Sequence, residues 1–140
     1  MAASNRAICL KPCLRAIGTV MVALFCITAR ADIYVISSPG LNVSADQIKD
    51  IFTGEKQFIG NIRLTPVDNS AAQSAFLTTA LKLDVARYNK LWISRSFREG
   101  HNPPPVHPSD TTVIKFVRNA PGAVGYVSTQ PTGVNIVYKY

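Results

Sequence analysis

Residues 113–127, near the end of the chain, have the pattern of one helix joined to one strand by a tight turn. Apolar residues in the first half recur at the i, i+3, i+4 and i+7 spacing of a helix face, and Asn119 ends that helix before Pro121 and Gly122. The residues that follow, 123–127, predict a short buried strand in which glycine allows another backbone to approach closely. A helix that feeds a strand in this way is typical of α/β folds.

The first thirty-one residues have the organisation of a secretory signal peptide. Basic residues without any acid precede an apolar run, 16–29, that is too short for a comfortable membrane span. The tripeptide Ala-Arg-Ala at 29–31 is an A-x-A cleavage site. We therefore expect a signal peptide over residues 1–31, cleavage after Ala31, a periplasmic location and one domain over residues 32–140. The alternative is an uncleaved N-terminal anchor.

Composition excludes several classes of function for the exported domain. All the cysteines, Cys9, Cys13 and Cys26, lie in the predicted signal peptide, so the domain has no disulfide, no thiol nucleophile and no thiolate metal site. Four of the fifteen Lys and Arg residues lie there too, which leaves eleven against eight acidic residues and a net charge of +3. This balance provides no basic stripe for nucleic acid, so we expect no nucleic-acid partner.

Turn and capping residues divide the domain into alternating strands and helices. Strands are predicted at residues 32–36, 64–68, 123–127 and 134–138. Helix starts are predicted at Ser44, Ser70, Asp84 and either Ser109 or Asp110. This order favours an α/β fold with an open, mostly parallel sheet and helices on both faces. The large aromatic residues on the apolar faces are expected to be buried together: Phe52, Phe76, Trp92, Phe116 and Tyr126.

Two of these helix starts carry a complete capping signal. Gln47 follows Ser44 by three residues, and Gln73 follows Ser70 by three residues, which is the spacing of a capping box. Both serines are therefore predicted to be N-caps.

Three segments together resemble the phosphate-type periplasmic substrate-binding proteins, a family of the periplasmic binding protein type 2 class. Residues 43–54 resemble its helix motif, residues 120–127 (Ala-Pro-Gly-Ala-Val-Gly-Tyr-Val) its helix-to-strand signature, and residues 97–104 the intervening loop of its short members. The family forms two-lobed clamshells that close on an oxyanion, and the resemblance here is to the second lobe alone. It implies a module for phosphate or a similar oxyanion, with a membrane transporter or sensor as partner, or with a second copy that completes the cleft.

The resemblance also implies where an oxyanion would be held. The family uses an Arg at a strand end and a Ser-Gly-Thr turn that opens the next helix. This chain has Asp68 at that strand end, followed by Asn69, Ser70, Ala71 and Ala72. Ser70 matches a family ligand, whereas Asp68 places a negative charge where the family has a positive one.

Two polar turns are candidate ligand-binding sites on chemical grounds. Residues 69–72 open a predicted helix, whose unpaired N–H groups and positive dipole end attract anions; the plainer interpretation is that Ser70 only caps the helix. Ser37 and Ser38 follow a strand, where open α/β sheets bind ligands, and the alternative there is an ordinary turn.

The other polar residues predict no further chemistry. His101, His107 and Asp110 lack a metal-binding spacing, and Arg95 and Arg98 fit a solvated helix end. The sequence contains no nucleophile elbow, P-loop, dinucleotide-binding turn or paired carboxylates. We therefore expect neither an enzyme nor a metal or other cofactor.

Two functions remain open at this point. The first is a solute-binding-protein-like module for phosphate or a similar oxyanion in uptake or sensing, which Ser70 favours. The second is a non-enzymatic interaction protein that kept the fold, lost the ligand and docks on an envelope sensor or another partner, which Asp68 favours.

Overall fold

The structure, a computed structural model, describes residues 31–140. Residues 1–30, which hold nearly all of the predicted signal peptide, lie outside the described residues, so export and cleavage after Ala31 stay predictions. Within the described part, no helix has the length and apolar character needed to cross a bilayer.

Short strands and helices alternate along the described chain. The strands are β1 (Tyr34–Ser37), β2 (Phe58–Ile59), β3 (Ile62–Arg63), β4 (Thr65–Pro66), β5 (Asp68–Asn69), β6 (Val106–His107), β7 (Ala123–Val127) and β8 (Asn135–Lys139). The helices are α1 (Gln47–Phe52), α2 (Gln73–Phe76), α3 (Val85–Glu99) and α4 (Asp110–Asn119). A π-helical turn, Leu77–Leu81, continues α2 and ends at Lys82, whose φ of 57° is left-handed.

A four-stranded sheet in the order β4-β7-β1-β8 forms the centre of the fold. β7 pairs in parallel with β4 and antiparallel with β1, which in turn pairs antiparallel with β8. The predicted α/β class is confirmed, but the sheet is mixed rather than mostly parallel. The reason is that β1 lies between two later strands, β7 and β8, and runs opposite to both. Outside this sheet, β5 and β6 form a second parallel pair.

Helices cover both faces of the sheet, as predicted. Successive residues of a strand point to opposite faces, so Val35 joins the core under α1, α2 and α3, whereas Ile36 joins the core under α4. In the larger core the rings of Phe76 and Tyr126 stack with centroids 3.9 Å apart. Phe52 meets both rings edge-on, at 4.8 and 5.5 Å.

The prediction that the five aromatic residues are buried together is wrong for one of them. Phe116 is half-buried and lies on the other face of the sheet, against the ring of His107. α4 turns Val113 and Val117, rather than Phe116, toward the sheet. The other four occupy the larger core as expected: Phe52, Phe76, Trp92 and Tyr126.

The helix–turn–strand segment has the predicted form. α4 ends at Asn119, and Gly122 has a φ of +80°, where a Cβ would collide with the backbone oxygen of Arg63. At Gly125 a Cβ would lie 2.8 Å from Val113 and 3.0 Å from Val67. This second glycine therefore makes room for side chains of the flanking elements, rather than for a backbone as predicted.

The predicted N-caps are confirmed for α3 and α4. Asp84 Oδ1 accepts a 2.7 Å hydrogen bond from the Arg87 N–H, and Ser109 forms a reciprocal capping box with Thr112.

The two other predicted caps differ in the structure. The Ser44 N–H donates to Gln47 Oε1 at 3.4 Å, which is half of the predicted box, and α1 begins only at Gln47. The prediction that Ser70 is an N-cap is wrong, because α2 begins at Gln73 with Ala72 before it. The chain leaves β5 through a turn, so it enters α2 later than the capping-box spacing predicts.

Candidate functional site

The two predicted ligand-binding segments lie at opposite ends of the sheet. β1 runs antiparallel to β7 and places Ser37 opposite Val124, near the start of β7. β4 runs parallel to β7, and the chain continues to Asn69, whose side chain reaches the carbonyl oxygen of Tyr126 near the end of β7. Ser37 and Ser38 therefore do not form one site with residues 69–72.

Ser37 and Ser38 are buried, and both hydroxyls have partners within the chain. The Ser37 hydroxyl donates to the carbonyl oxygen of Leu41 at 3.1 Å. The Ser38 hydroxyl oxygen accepts from the Gly122 N–H at 3.1 Å. These contacts hold the turn after β1 against the start of β7. They fit the alternative interpretation of this segment, an ordinary turn.

The backbone donors of residues 70–72 are also engaged within the chain. The N–H of Ser70 donates to the His107 carbonyl oxygen at 2.9 Å. The N–H of Ala71 donates to the side-chain oxygen of Asn69, and that of Ala72 to the Asn69 carbonyl oxygen, both at 3.1 Å. The expectation that these groups are open to an anion is therefore wrong, although ligand binding by residues 69–72 itself stays a prediction.

Asp68 points into the core instead of toward a ligand. Only 2% of it is exposed. Its carboxylate accepts hydrogen bonds at 3.1 Å from the hydroxyls of Tyr88 and Tyr126, and a longer one at 3.4 Å from Gln73. Burial raises the pKa of Asp68 to about 6, despite the hydrogen bonds that favour its charged form. Burial and the nearby carboxylate also raise the pKa of both tyrosines, which therefore remain donors.

Asp110, the first residue of α4, has a different set of partners at the same end of the sheet. Its Oδ2 accepts four hydrogen bonds of 2.8–3.1 Å, from the backbone N–H and the hydroxyl of both Ser128 and Thr129. Its Oδ1 accepts a 2.6 Å hydrogen bond from the side-chain amide of Asn69. Burial opposes ionisation of Asp110, but these hydrogen bonds outweigh it and lower the pKa of the carboxyl.

The donors supplied by Asn69, Ser128 and Thr129 are called the donor nest below. Paired backbone N–H and hydroxyl groups that converge on one oxygen are the usual means by which proteins hold carboxylate and phosphate oxygens. Here the oxygen belongs to Asp110 of the same chain. The sequence predicts Asp110 only as a helix cap or a metal ligand, and the Ser-Thr pair after β7 is the signal that points to its partner.

A cavity of about 170 Å³ lies at the other end of the sheet, close to where α1 and α3 end. Its apolar wall consists of Ile51, Leu64, Pro66 and Trp92, whose indole N–H is buried without a hydrogen-bond partner among the described residues. The remainder of the lining is polar, glycine or cationic: Gly54, Lys56, Gln57, Arg63, Gly100, His101 and Asn102. No local sequence pattern predicts this cavity, because its walls come from four separate segments.

The two histidines considered in the sequence have separate surroundings. His101 contacts the Gln57 amide at 3.0 Å and Glu99 at 3.1 Å, whereas His107 packs on Phe116. In residues 31–140, no three His, Cys, Asp or Glu side chains converge as a metal site.

No family model and no curated protein matches this chain. Among solved structures, it is similar to the crystal structure of PstS from Borrelia burgdorferi, with 18% sequence identity and a TM-score of 0.48. The similarity covers 70% of this chain and 44% of that chain, so the match spans less than half the length of that protein.

Proposed function

We propose that this chain is an exported, non-enzymatic interaction module with a solute-binding-protein-like lobe, in which Asp110 takes the place of a free oxyanion. The observation that supports this most strongly is the set of five hydrogen bonds from Asn69, Ser128 and Thr129 to the Asp110 carboxylate. The alternative is the phosphate uptake or sensing module that the sequence resemblance implies.

The energetics of a tethered carboxylate favour the interaction module. A group held on the same chain competes at an effective concentration of about millimolar or higher, so a free anion must exceed that to replace it. The low pKa of Asp110 keeps it ionised at neutral pH, and its charge repels a second anion. Residues 70–72 offer no donors that would offset this repulsion, because their N–H groups are already hydrogen-bonded within the chain.

An exposed apolar pair on α3 supports the docking part of the proposal. Ile93 and Phe97 lie four residues apart, on one side of the helix, and are 59% and 88% exposed. Exposed aromatic residues of this size are enriched at protein–protein contacts. An envelope sensor or another envelope protein is the proposed partner.

Calorimetry of the purified protein against phosphate, sulfate and molybdate tests the first part. We expect no binding up to about 1 mM, because the donor nest is filled. Arg63→Gln serves as the control for binding at the distant cavity. Micromolar phosphate affinity that Arg63→Gln leaves unchanged would contradict the proposal and favour phosphate uptake or sensing.

Photo-crosslinking in cells tests the docking part. A benzophenone side chain at position 97 is expected to trap one envelope protein, whereas the same side chain at Lys115, an exposed position on α4, should not. Equal crosslinking from both positions, or none from position 97, would count against docking through α3.

A further inference from the structure

We propose that the cavity beside Trp92 binds a small organic anion, with the negative group at Lys56 and Arg63 and an apolar body against the apolar lining residues. This site goes beyond the proposed function, because it lies at the other end of the sheet from Asp110 and shares no residue with the donor nest.

The size and walls of the cavity set the size and polarity of its ligand. A volume of about 170 Å³ is well below the roughly 300–1,000 Å³ of sites for drug-sized molecules. The apolar part of the lining is supplied by Ile51, Leu64, Pro66 and Trp92. A compact molecule with a branched or flat hydrocarbon body fits this wall, whereas a fully hydrated ion leaves it uncovered.

The charged residues around the cavity indicate the sign of the charge on its ligand. Lys56 and Arg63 line it, and within residues 31–140 neither has a carboxylate within 4 Å. Glu55 and Glu99, which are chain neighbours of the lining residues Lys56 and Gly100, are already paired: Arg95 bridges Glu55 at 3.5 Å and Glu99 at 3.0 Å. Two cations that line the cavity without a carboxylate partner, together with apolar side chains, favour an anionic head group.

Neutral polar groups complete the lining near the cations. The Gln57 side chain contacts the His101 ring at 3.0 Å, and Asn102 lies beside them. Amide groups of this kind orient a carboxylate by hydrogen bonds without adding charge. The ligand class that uses every part of the lining is therefore a small monocarboxylate.

Fluorescence of Trp92 reports on the cavity directly, because it is the sole tryptophan of the chain. The probes are isovalerate, its neutral isostere isovaleramide, and inorganic phosphate, which has the charge but no apolar body. We expect a saturable change with isovalerate, half-complete at about 10 mM or below. Isovaleramide and phosphate should each need at least about tenfold more.

Variants at the cations distinguish specific binding from a general solvent effect. Lys56→Gln and Arg63→Gln should each weaken isovalerate binding by about tenfold, whereas Lys115→Gln, on α4, should leave it unchanged. The proposal is overturned if isovalerate gives no saturable change, if isovaleramide or phosphate binds as well, or if the three variants behave alike. These outcomes do not depend on Asp110, so they are separable from the calorimetric test of the proposed function.

Discussion

Asp68 and Asp110 lie at the same end of one sheet, yet their surroundings have opposite effects on the two carboxylates. Asp68 is buried in the core, where its main donors are two phenol groups, and its pKa rises to about 6. Asp110 is partly exposed and accepts hydrogen bonds from two backbone N–H groups, two hydroxyls and one amide. These hydrogen bonds lower the pKa of its carboxyl. The surroundings of each carboxyl, and not the residue type, decide whether the fold favours its protonated or its ionised form.

The difference separates a structural role from a ligand-like one. Asp68 connects β5 to α3 and β7 through Tyr88 and Tyr126, so it organises the core from within. The carboxylate of Asp110 accepts hydrogen bonds from the loop after β7 and from the Asn69 amide, which is how a protein holds a bound anion. Asp68 therefore lies in the core, away from any anion site, and the proposed function assigns the exclusion of a free anion to Asp110.

The largest expected effect is a pH-dependent stability term from Asp68. The folded-state pKa of Asp68, about 6, lies above the ordinary value of 3.8. The contribution of Asp68 to the free energy of unfolding is therefore complete below about pH 4 and is lost as pH rises through 6. Relative to Asp68→Asn, the free energy of unfolding of the unmodified protein should fall by about 2.5 kcal/mol between pH 4 and 7. Urea denaturation across this range measures it.

Asp110 should show the opposite sign in the same experiment. Its lowered pKa means that its contribution is present above its ordinary value of 3.8 and is lost as pH falls through the lower folded-state value. Parallel pH profiles for Asp68→Asn and Asp110→Asn would show that the two carboxylates do not differ as described.

A somewhat smaller loss is expected when the Asp110 carboxylate is removed. Asp110→Ala should lower the free energy of unfolding by about 2 kcal/mol at pH 7, because the donor nest loses a charged acceptor. Added formate should restore part of this stability by entering the nest. Asp84→Ala is the matched control: it removes an exposed cap, costs about 1 kcal/mol and should not respond to formate. Equal formate effects on both variants would argue against the nest.

Local patterns predicted the elements that depend on neighbours in the chain. The end of α4, the positive φ of Gly122 and the caps Asp84 and Ser109 follow from residues a few positions apart. Phe116 shows the limit of such patterns, since its spacing predicted a buried face but not how deeply each residue on that face is buried.

The candidate sites depend on contacts between distant residues, which local patterns do not contain. The hydroxyl that reaches Asp68 from Tyr126 comes from 58 positions away, and Thr129 reaches Asp110 from 19 positions away. Ser70 fitted a capping box by spacing, yet its N–H bonds to His107 in the neighbouring strand. Strand pairing overrode the local signal there.

The most direct measurement compares the amide chemical shifts of Ser128 and Thr129 during formate titration of the unmodified protein and of Asp110→Ala. With Asp110 present the nest is filled, so these amides should not shift. In Asp110→Ala they should shift saturably, together with the side-chain amide of Asn69. Equal shifts in both proteins, or no shift in the variant, would contradict the claim that Asp110 stands where a free oxyanion would bind.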